Sequence, residues 1–350
     1  MKILFVNENL DYGGAGKVLV WLANSLAEKG YEITFLTYRK GKERLSLTDN
    51  IRKTQFILNE EESGAKNVIK TAVLLRKYLK ENCFDTAVAF SEPSQTRLAV
   101  AAAGLNTRCV FSQRLDPYTV EKKALMKLVY SGADYFVFQT EGARQYYSEK
   151  IRKRSTVIPN PVIPTGTAAL TEDRQKKIVS VGRLDIFQKR QDLLIEAFKK
   201  IAADYPDYIL EFIGDGPDME KLKAMSSDMT DRILFPGVSE SVQKDIRKAA
   251  MFILSSDFEG IPNALMEAMS LGVPCISTDC RPGGAAEILT DGENGLLVPA
   301  GDSGKLAEAM RKYMDDPEFA EQMGRNAINI AETFSQEKIL DQWISVLERV

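Results

Sequence analysis

The stretch VIPNPVIPTGTAAL, Val157 to Leu170, carries three prolines and a glycine in fourteen residues. Proline removes a backbone donor and pushes the residue before it into extended conformations, so neither a helix nor a central strand continues through it. The stretch predicts a linker over about 157–172. The same pattern lies on both sides of it. Upstream, the apolar runs KILFV (2–6), YEITFLTY (31–38), DTAVAF (85–90), RCVFSQ (108–113) and DYFVFQT (134–140) alternate with helical patterns. Those patterns are KVLVWLANSLAEKG (17–30), a segment near 64–81 and RLAVAAAG (97–104). Downstream, KIVSVG, YILEFIG, RILFPG, MFILSS and PCISTD restart the alternation, with RQDLLIEAFKKIAADYP as an amphipathic helix. Strands alternating with helices build a parallel, doubly wound sheet. The expected fold class is α/β, with two Rossmann-like domains over 1–162 and 173–333 and a terminal segment 334–350. Ligands of such sheets bind at the carboxyl ends of the strands, so two sheets facing each other would hold the chemistry in a cleft.

The bulk properties fit. A chain of 350 residues suits two ordinary domains. A net charge near −3 argues against a dedicated nucleic-acid binder. The charge is divided unevenly: residues 1–162 hold 25 Lys+Arg against 17 Asp+Glu, the remainder 21 against 32, which points to separate tasks for the two halves. The four cysteines, Cys83, Cys109, Cys275 and Cys280, form no CxxC, and the chain has no histidine to complete a zinc set, so reduced, mostly buried thiols are expected. MKILFVNENL lacks the apolar core of a signal peptide, and no apolar run reaches the ~20 residues that span a bilayer. A cytoplasmic location is expected.

The second half carries the sharper signals. SVGRLDIFQKRQDLL puts Arg183 just after a strand and Lys189 just before a helix. Two cations at that edge suit a diphosphate, although a solvated basic loop reads the same way. FIGDGPDMEKL adds a common Gly-rich turn. EGIPNALME, Glu259 to Glu267, sets two carboxylates among apolar residues. Gly260 lets the backbone approach a ligand, and Pro262 suits the first turn of a helix. Glu259 then sits at a helix mouth, where it could cap the helix or accept from ligand hydroxyls. Glu267 is the only charge between Glu259 and Asp279. It must be paired, be exposed or meet a ligand, and a ribose diol offers two O–H donors to one carboxylate.

Glu259 and Glu267, with seven residues between them, resemble the EX7E motif of retaining glycosyltransferases. EGIPNALMEAMSLGVPCISTD, VGRLDIFQKRQDLL, IGDGP, FPGV and PGGAAEILTDGENGLLVPAGD are similar to glycosyltransferase family 4, as are GGAGKVLVWLA, VFQTEG and VIPNPV in the first half. The resemblance spans nearly the whole chain and is densest over 178–302. It implies the GT-B fold, two Rossmann-like domains facing across a cleft, with a nucleotide-sugar donor held mainly by the second. It implies that Arg183 and Lys189 bind the donor diphosphate and Glu267 the ribose. Glu259 and the backbone of Gly260, Ile261, Pro262 and Asn263 would face the donor sugar, with Gly182, Ala264 and Leu265 in the same donor site. Gly13 and Gly14 would let the first domain's loop approach the phosphates, and the terminal segment 334–350 would be a helix crossing back to the first domain. Many members have a histidine near the sugar in the first domain. This chain has FSQRLDPY there, with Gln113 and Arg114 as the sugar contacts, and some relatives have S-x-R-N-D-P.

The activity implied is retaining, metal-independent transfer of a hexose or N-acetylhexosamine, with a UDP-sugar favoured, to a hydroxyl of a glycan or lipid-diphosphate-linked acceptor in bacterial cell-surface polysaccharide or capsule assembly. No cofactor is expected beyond this co-substrate. No D-x-D triplet is present to hold a divalent metal, and Arg183 and Lys189 would neutralise the leaving group. No acid is clearly placed as a nucleophile, which favours a front-face route in which a leaving-phosphate oxygen takes the acceptor proton. Basic stretches of the first domain, KALMKLVY after Glu121 and Lys122 and EKIRKRS at 149–155, suit peripheral contact with the inner face of the plasma membrane, or are plain solvated faces. Two rivals stay open: a non-hydrolysing sugar-nucleotide epimerase on the same fold, whose acid–base side chains are missing here, and a non-catalytic sugar-nucleotide-binding protein. A dehydrogenase would need G-x-G-x-x-G after the first strand, which DYGGAGKV does not supply.

Overall fold

All ten apolar runs become strands in the computed structural model, which describes residues 1–11, 13–56, 64–114, 116–119, 123–163, 174–239 and 241–349. Residues 164–172 of the expected linker, position 173 and the pair Glu121–Lys122 lie outside the described residues. The first sheet contains β1 (Lys2–Asn7), β2 (Glu32–Thr37), β3 (Arg52–Gln55), β4 (Thr86–Ala89), β5 (Arg108–Gln113), β6 (Tyr135–Phe138) and β7 (Ser155–Val157). Its spatial order is β3-β2-β1-β4-β5-β6-β7, with every pair parallel. The second sheet contains β8 (Gln175–Val181), β9 (Ile209–Ile213), β10 (Ile233–Gly237), β11 (Ala249–Leu254), β12 (Cys275–Asp279) and β13 (Leu296–Pro299). Its order is β10-β9-β8-β11-β12-β13, again all parallel. Both are doubly wound Rossmann-like sheets, and each reverses direction once, between β1 and β4 and between β8 and β11.

The central strands are apolar throughout because helices cover both faces. Ile3, Leu4, Phe5 and Val6 are all fully buried. Three strands escape the periodicity. β3 is the polar edge segment RKTQ, β7 is the three-residue STV, and β13 is the short LLVP between two turns. Each is recruited by a neighbouring strand's unpaired backbone rather than by an apolar pattern of its own.

Helices α1 (Gly14–Glu28), α2 (Ala65–Asn82), α3 (Glu92–Ala102) and α4 (Lys123–Ser131) connect strands of the first sheet. Right-handed crossovers put α2, α3 and α4 on one face, since each carries the chain in the same direction across the sheet, and α1 on the other. One core cluster accordingly joins Leu75 and Leu79 of α2, Leu98 of α3, and Met126 and Val129 of α4 to Val6, Phe111 and Phe136 of the sheet.

The chain divides into two compact units, 1–160 with 337–350, and 161–336. The C-terminal helix Gln336–Arg349 thus belongs almost wholly to the first unit. Trp343 anchors it there, fully buried and stacked on Phe90 at 5.6 Å between ring centroids. Tyr31 donates to Glu348 at 2.6 Å beside it. In the second unit the outgoing and returning segments pair, with Val162 N–H donating to the Phe334 carbonyl at 2.8 Å.

Candidate active site

β8 and β11 are neighbours at the reversal point of the second sheet, so the loops leaving their carboxyl ends diverge and open a crevice. Lys189 is reached from the first loop and Glu259 from the second. The β8 loop runs through Gly182 to Asp185, whose carboxylate caps the short helix Ile186–Lys189 by accepting from Phe187 N–H at 3.1 Å. A tight glycine turn after β9 braces this loop. A Cβ at Gly214 would lie 2.0 Å from the Gly182 carbonyl oxygen, and one at Gly216 would lie 2.2 Å from that of Leu184. The GDG turn, too common to interpret from sequence, is therefore the bed on which the Arg183 loop rests.

Lys189 Nζ forms an ion pair with Glu259 Oε1. Glu259 is 8% exposed. Ser256 donates to the same oxygen at 2.7 Å, and Gln188 approaches Oε2 at 3.4 Å. Three donors thus converge on one buried carboxylate, which offsets its desolvation. The loops are also tied to each other: Ser255 donates to the Lys189 carbonyl at 2.8 Å, Asp257 N–H to the Gln188 carbonyl at 2.9 Å, and Arg190 to Asp257 at 2.8 Å. Ser256 and Gln188 were not singled out by sequence; Ser256 lies three residues before Glu259, and only chain folding brings Gln188 to it.

Helix Asn263–Ser270 follows, with Pro262 in extended conformation at its N-cap and no side-chain cap. Glu259 does not cap it. Ile261 and Leu265 are 5% and 0% exposed and belong to the core, so these two positions offer a ligand their backbone only. Glu267 is half-buried, one turn beyond Asn263 on the same helix face. Arg183 is 68% exposed and only loosely paired, 3.9 Å from Asp185. The loop after β12 supports the Glu259 segment from behind. Glu259 N–H donates to the Arg281 carbonyl at 2.8 Å, and a Cβ at Gly284 would lie 1.6 Å from the Gly260 carbonyl oxygen. Cys280 lies near this group. Burial, with Glu259 beside it, pushes its thiol up to about 12, so it stays protonated and un-nucleophilic.

The remaining expected residues lie in the first unit. Gly13 is the extended N-cap of α1, Gly14 is the helix's first residue, and a Cβ at Gly13 would meet nothing within 4 Å. Gln113 turns inward and donates to Gln95 at 3.1 Å. Arg114, expected as a sugar contact, also turns inward. Its guanidinium lies 4.0 Å from the Phe90 ring and 5.7 Å from that of Trp343, and donates to Asn160 Oδ1 at 2.6 Å. Nε and Nη2 are buried with no hydrogen-bond partner among the described residues. Burial pushes this group down to about 9, and the two ring faces partly replace the lost water. Among the described residues no three His, Cys, Asp or Glu side chains cluster to hold a metal.

Residues 12–165 match the family described as Glycosyltransferase Family 4, and residues 167–330 the family described as Glycosyl transferases group 1. An uncharacterized glycosyltransferase of Haemophilus influenzae is 26% identical, over 99% of each chain. The GalNAc-alpha-(1->4)-GalNAc-alpha-(1->3)-diNAcBac-PP-undecaprenol alpha-1,4-N-acetyl-D-galactosaminyltransferase of Campylobacter jejuni is also 26% identical, over 100% of this chain and 99% of its own. Anabaena HepE, solved with UDP and glucose, superposes with a TM-score of 0.81 at 18% identity, over 100% of both chains.

Proposed function

The chain belongs to the glycosyltransferase family that its two halves match, with the GT-B fold, and from that premise we propose that it is a retaining, metal-independent hexosyl- or N-acetylhexosaminyltransferase using a UDP-sugar. The acceptor in this reading is a hydroxyl of a glycan or a lipid-diphosphate-linked sugar in bacterial cell-surface polysaccharide assembly. The Campylobacter relative, whose name specifies a PP-undecaprenol acceptor, and HepE, which binds UDP and glucose, support those choices. The observation that carries the reading is the Lys189–Glu259 pair, its carboxylate buried, at the reversal point of the second sheet, followed directly by the N-terminal end of the helix Asn263–Ser270.

In this reading the residues take the following roles. Lys189 is held in place by Glu259 and presents its charge where a diphosphate would accumulate negative charge as it leaves. Arg183, exposed and loosely held, closes on the same group when the donor binds. The first turn of the helix that begins at Asn263 directs its N-terminal end at developing negative charge, with no cap from the side chain of Pro262. Glu267 accepts from the ribose hydroxyls. Proton transfer from the acceptor goes to a leaving-phosphate oxygen on the same face of the sugar, which retains configuration and needs no protein nucleophile.

The test is thermal shift against nucleoside diphosphates, followed by turnover with the donor that binds. UDP at a hundred times its Kd is expected to add about 2.7 kcal/mol of stability. A shift with GDP and none with UDP overturns the donor assignment. Glu267→Ala should weaken UDP binding by about 1.5–3 kcal/mol, read by calorimetry. Arg183→Ala should lower kcat by at least about tenfold with an unchanged melting temperature, because its side chain makes only a long, exposed ion pair. Wild-type kcat in that variant removes Arg183 from the diphosphate clamp. Turnover should survive EDTA, and proton NMR of the product should show the donor's own anomeric configuration.

A further inference from the structure

Phe187 is 77% exposed, the most exposed large apolar side chain among the described residues. Single apolar side chains on a surface are ordinary, so the setting decides what this one means. It stands on the short helix Ile186–Lys189, two residues before Lys189. Its ring makes an edge contact with that of Phe258, the residue before Glu259, at 5.6 Å between centroids and 69° between planes. Each member of the Lys189–Glu259 pair thus has a phenyl ring beside it in the chain, and the two rings meet.

The mount is rigid. Ile186 N–H donates to Asp218 at 2.7 Å and Phe187 N–H to Asp185 at 3.1 Å. Gln188 donates to the Phe258 carbonyl at 3.2 Å, and its own carbonyl accepts from Asp257 N–H at 2.9 Å. A phenyl ring on a backbone fixed at both ends has only two side-chain torsions to lose when something covers it.

The rings and the ions face different ways. Residues two apart on a helix do not share a face, and successive residues of an extended segment point to opposite sides. Phe258 is extended where it bridges to Arg281. Phe187 is therefore turned from Lys189, and Phe258 from Glu259. The diphosphate that Lys189 would hold lies on the other side, and a phenyl face offers an anion no donor. It offers a negative π face, which complements the C–H groups on the flat side of a pyranose.

We propose that Phe187, backed by Phe258, stacks on a pyranose ring of the acceptor, in a subsite beyond the sugar that receives the transfer. The inference rests on the reading of the acceptor as a glycan. The subsite favours acceptors of two or more sugars, because a lone sugar at the reacting centre does not reach the ring.

The test uses the full chain saturated with UDP and titrated with maltotriose, chitotriose and lacto-N-tetraose as probes. Saturation-transfer NMR and the added fluorescence of Phe187→Trp are the readouts. At least one probe is expected to bind, with saturation passing to its ring C–H protons. Phe187→Ala should lower that affinity at least about tenfold. Phe187→Trp should keep it, with emission moving to the blue as the saccharide covers the indole. Phe187→Ala should melt at the wild-type temperature and gain the same thermal shift from UDP, since its side chain is exposed and turned from Lys189. The proposal is overturned if no probe binds, or if Phe187→Ala binds the probes as the wild type does. Loss of affinity for UDP-glucose with affinity for UDP intact would overturn it too, giving the ring to the donor's sugar. A wild-type dimer that Phe187→Ala dissociates, with probe binding unchanged, would give it to a second copy. The thermal shift with UDP is independent of the ring: its absence in the wild type refutes the donor reading and leaves Phe187-dependent saccharide binding standing.

Discussion

Glu259→Gln should lower kcat by on the order of a hundredfold or more. The substitution preserves the size of the side chain and removes only its charge. In the folded protein that charge is met by Lys189 Nζ and by Ser256 at 2.7 Å, at 8% exposure. Without it Lys189 loses the partner that fixes it at the end of β8, and a flexible ammonium held in the wrong place cannot stabilise a leaving diphosphate. The stability cost should be about 1–3 kcal/mol, the penalty for a poorly matched buried donor. That figure lies below the value for a fully buried pair, because the Lys189 side chain is still 20% exposed and can turn to water. Urea denaturation and steady-state kinetics on the same preparation separate the two effects. A variant that loses stability but turns over at the wild-type rate would show the pair to be structural, and Glu259 would leave the catalytic group.

Gly284→Ala should destabilise the second unit by about 3 kcal/mol or more and abolish most activity. Its Cβ would sit 1.6 Å from the Gly260 carbonyl oxygen and 3.2 Å from Ile261 N. Both are backbone atoms, so no rotamer change relieves the overlap, and the displaced chain is the one that carries Glu259. Gly283 next to it is the control. It has a φ of +95° but nothing within 4 Å of its Cβ. Gly283→Ala should therefore cost only the strain of a left-handed alanine, about 1–2 kcal/mol, with the Glu259 segment in place. Urea midpoints for the two variants decide it. Equal losses would mean that contact with the Gly260 backbone adds nothing to the cost at position 284.

Much of the fold could be read from residues in order. Apolar runs such as KILFV and MFILSS are strands because a parallel sheet covered on both faces needs uninterrupted apolar side chains, a requirement written locally. Arg183, Lys189, Glu259 and Glu267 stood out for the same reason, as charges at the ends of apolar segments. β3 did not, because RKTQ has no apolar period and becomes a strand only against the free edge of β2.

Which of those charges meet was a matter of tertiary structure. Lys189 and Glu259 are seventy residues apart, and they pair because β11 returns to lie beside β8 instead of extending the sheet past β10. The glycines at 214, 216 and 284 read as ordinary turns until the neighbouring loops are in place, when each proves to be a point where two backbones touch. Arg114 reads as a sugar contact in FSQRLDPY. Its burial depends on Phe90 and on Trp343, a residue more than two hundred positions away whose helix closes over it. Local pattern determines which elements form and where charge sits along the chain. Ion pairing, close backbone approach and the burial of a cation depend on distances across the fold, and no window of sequence contains both ends of them.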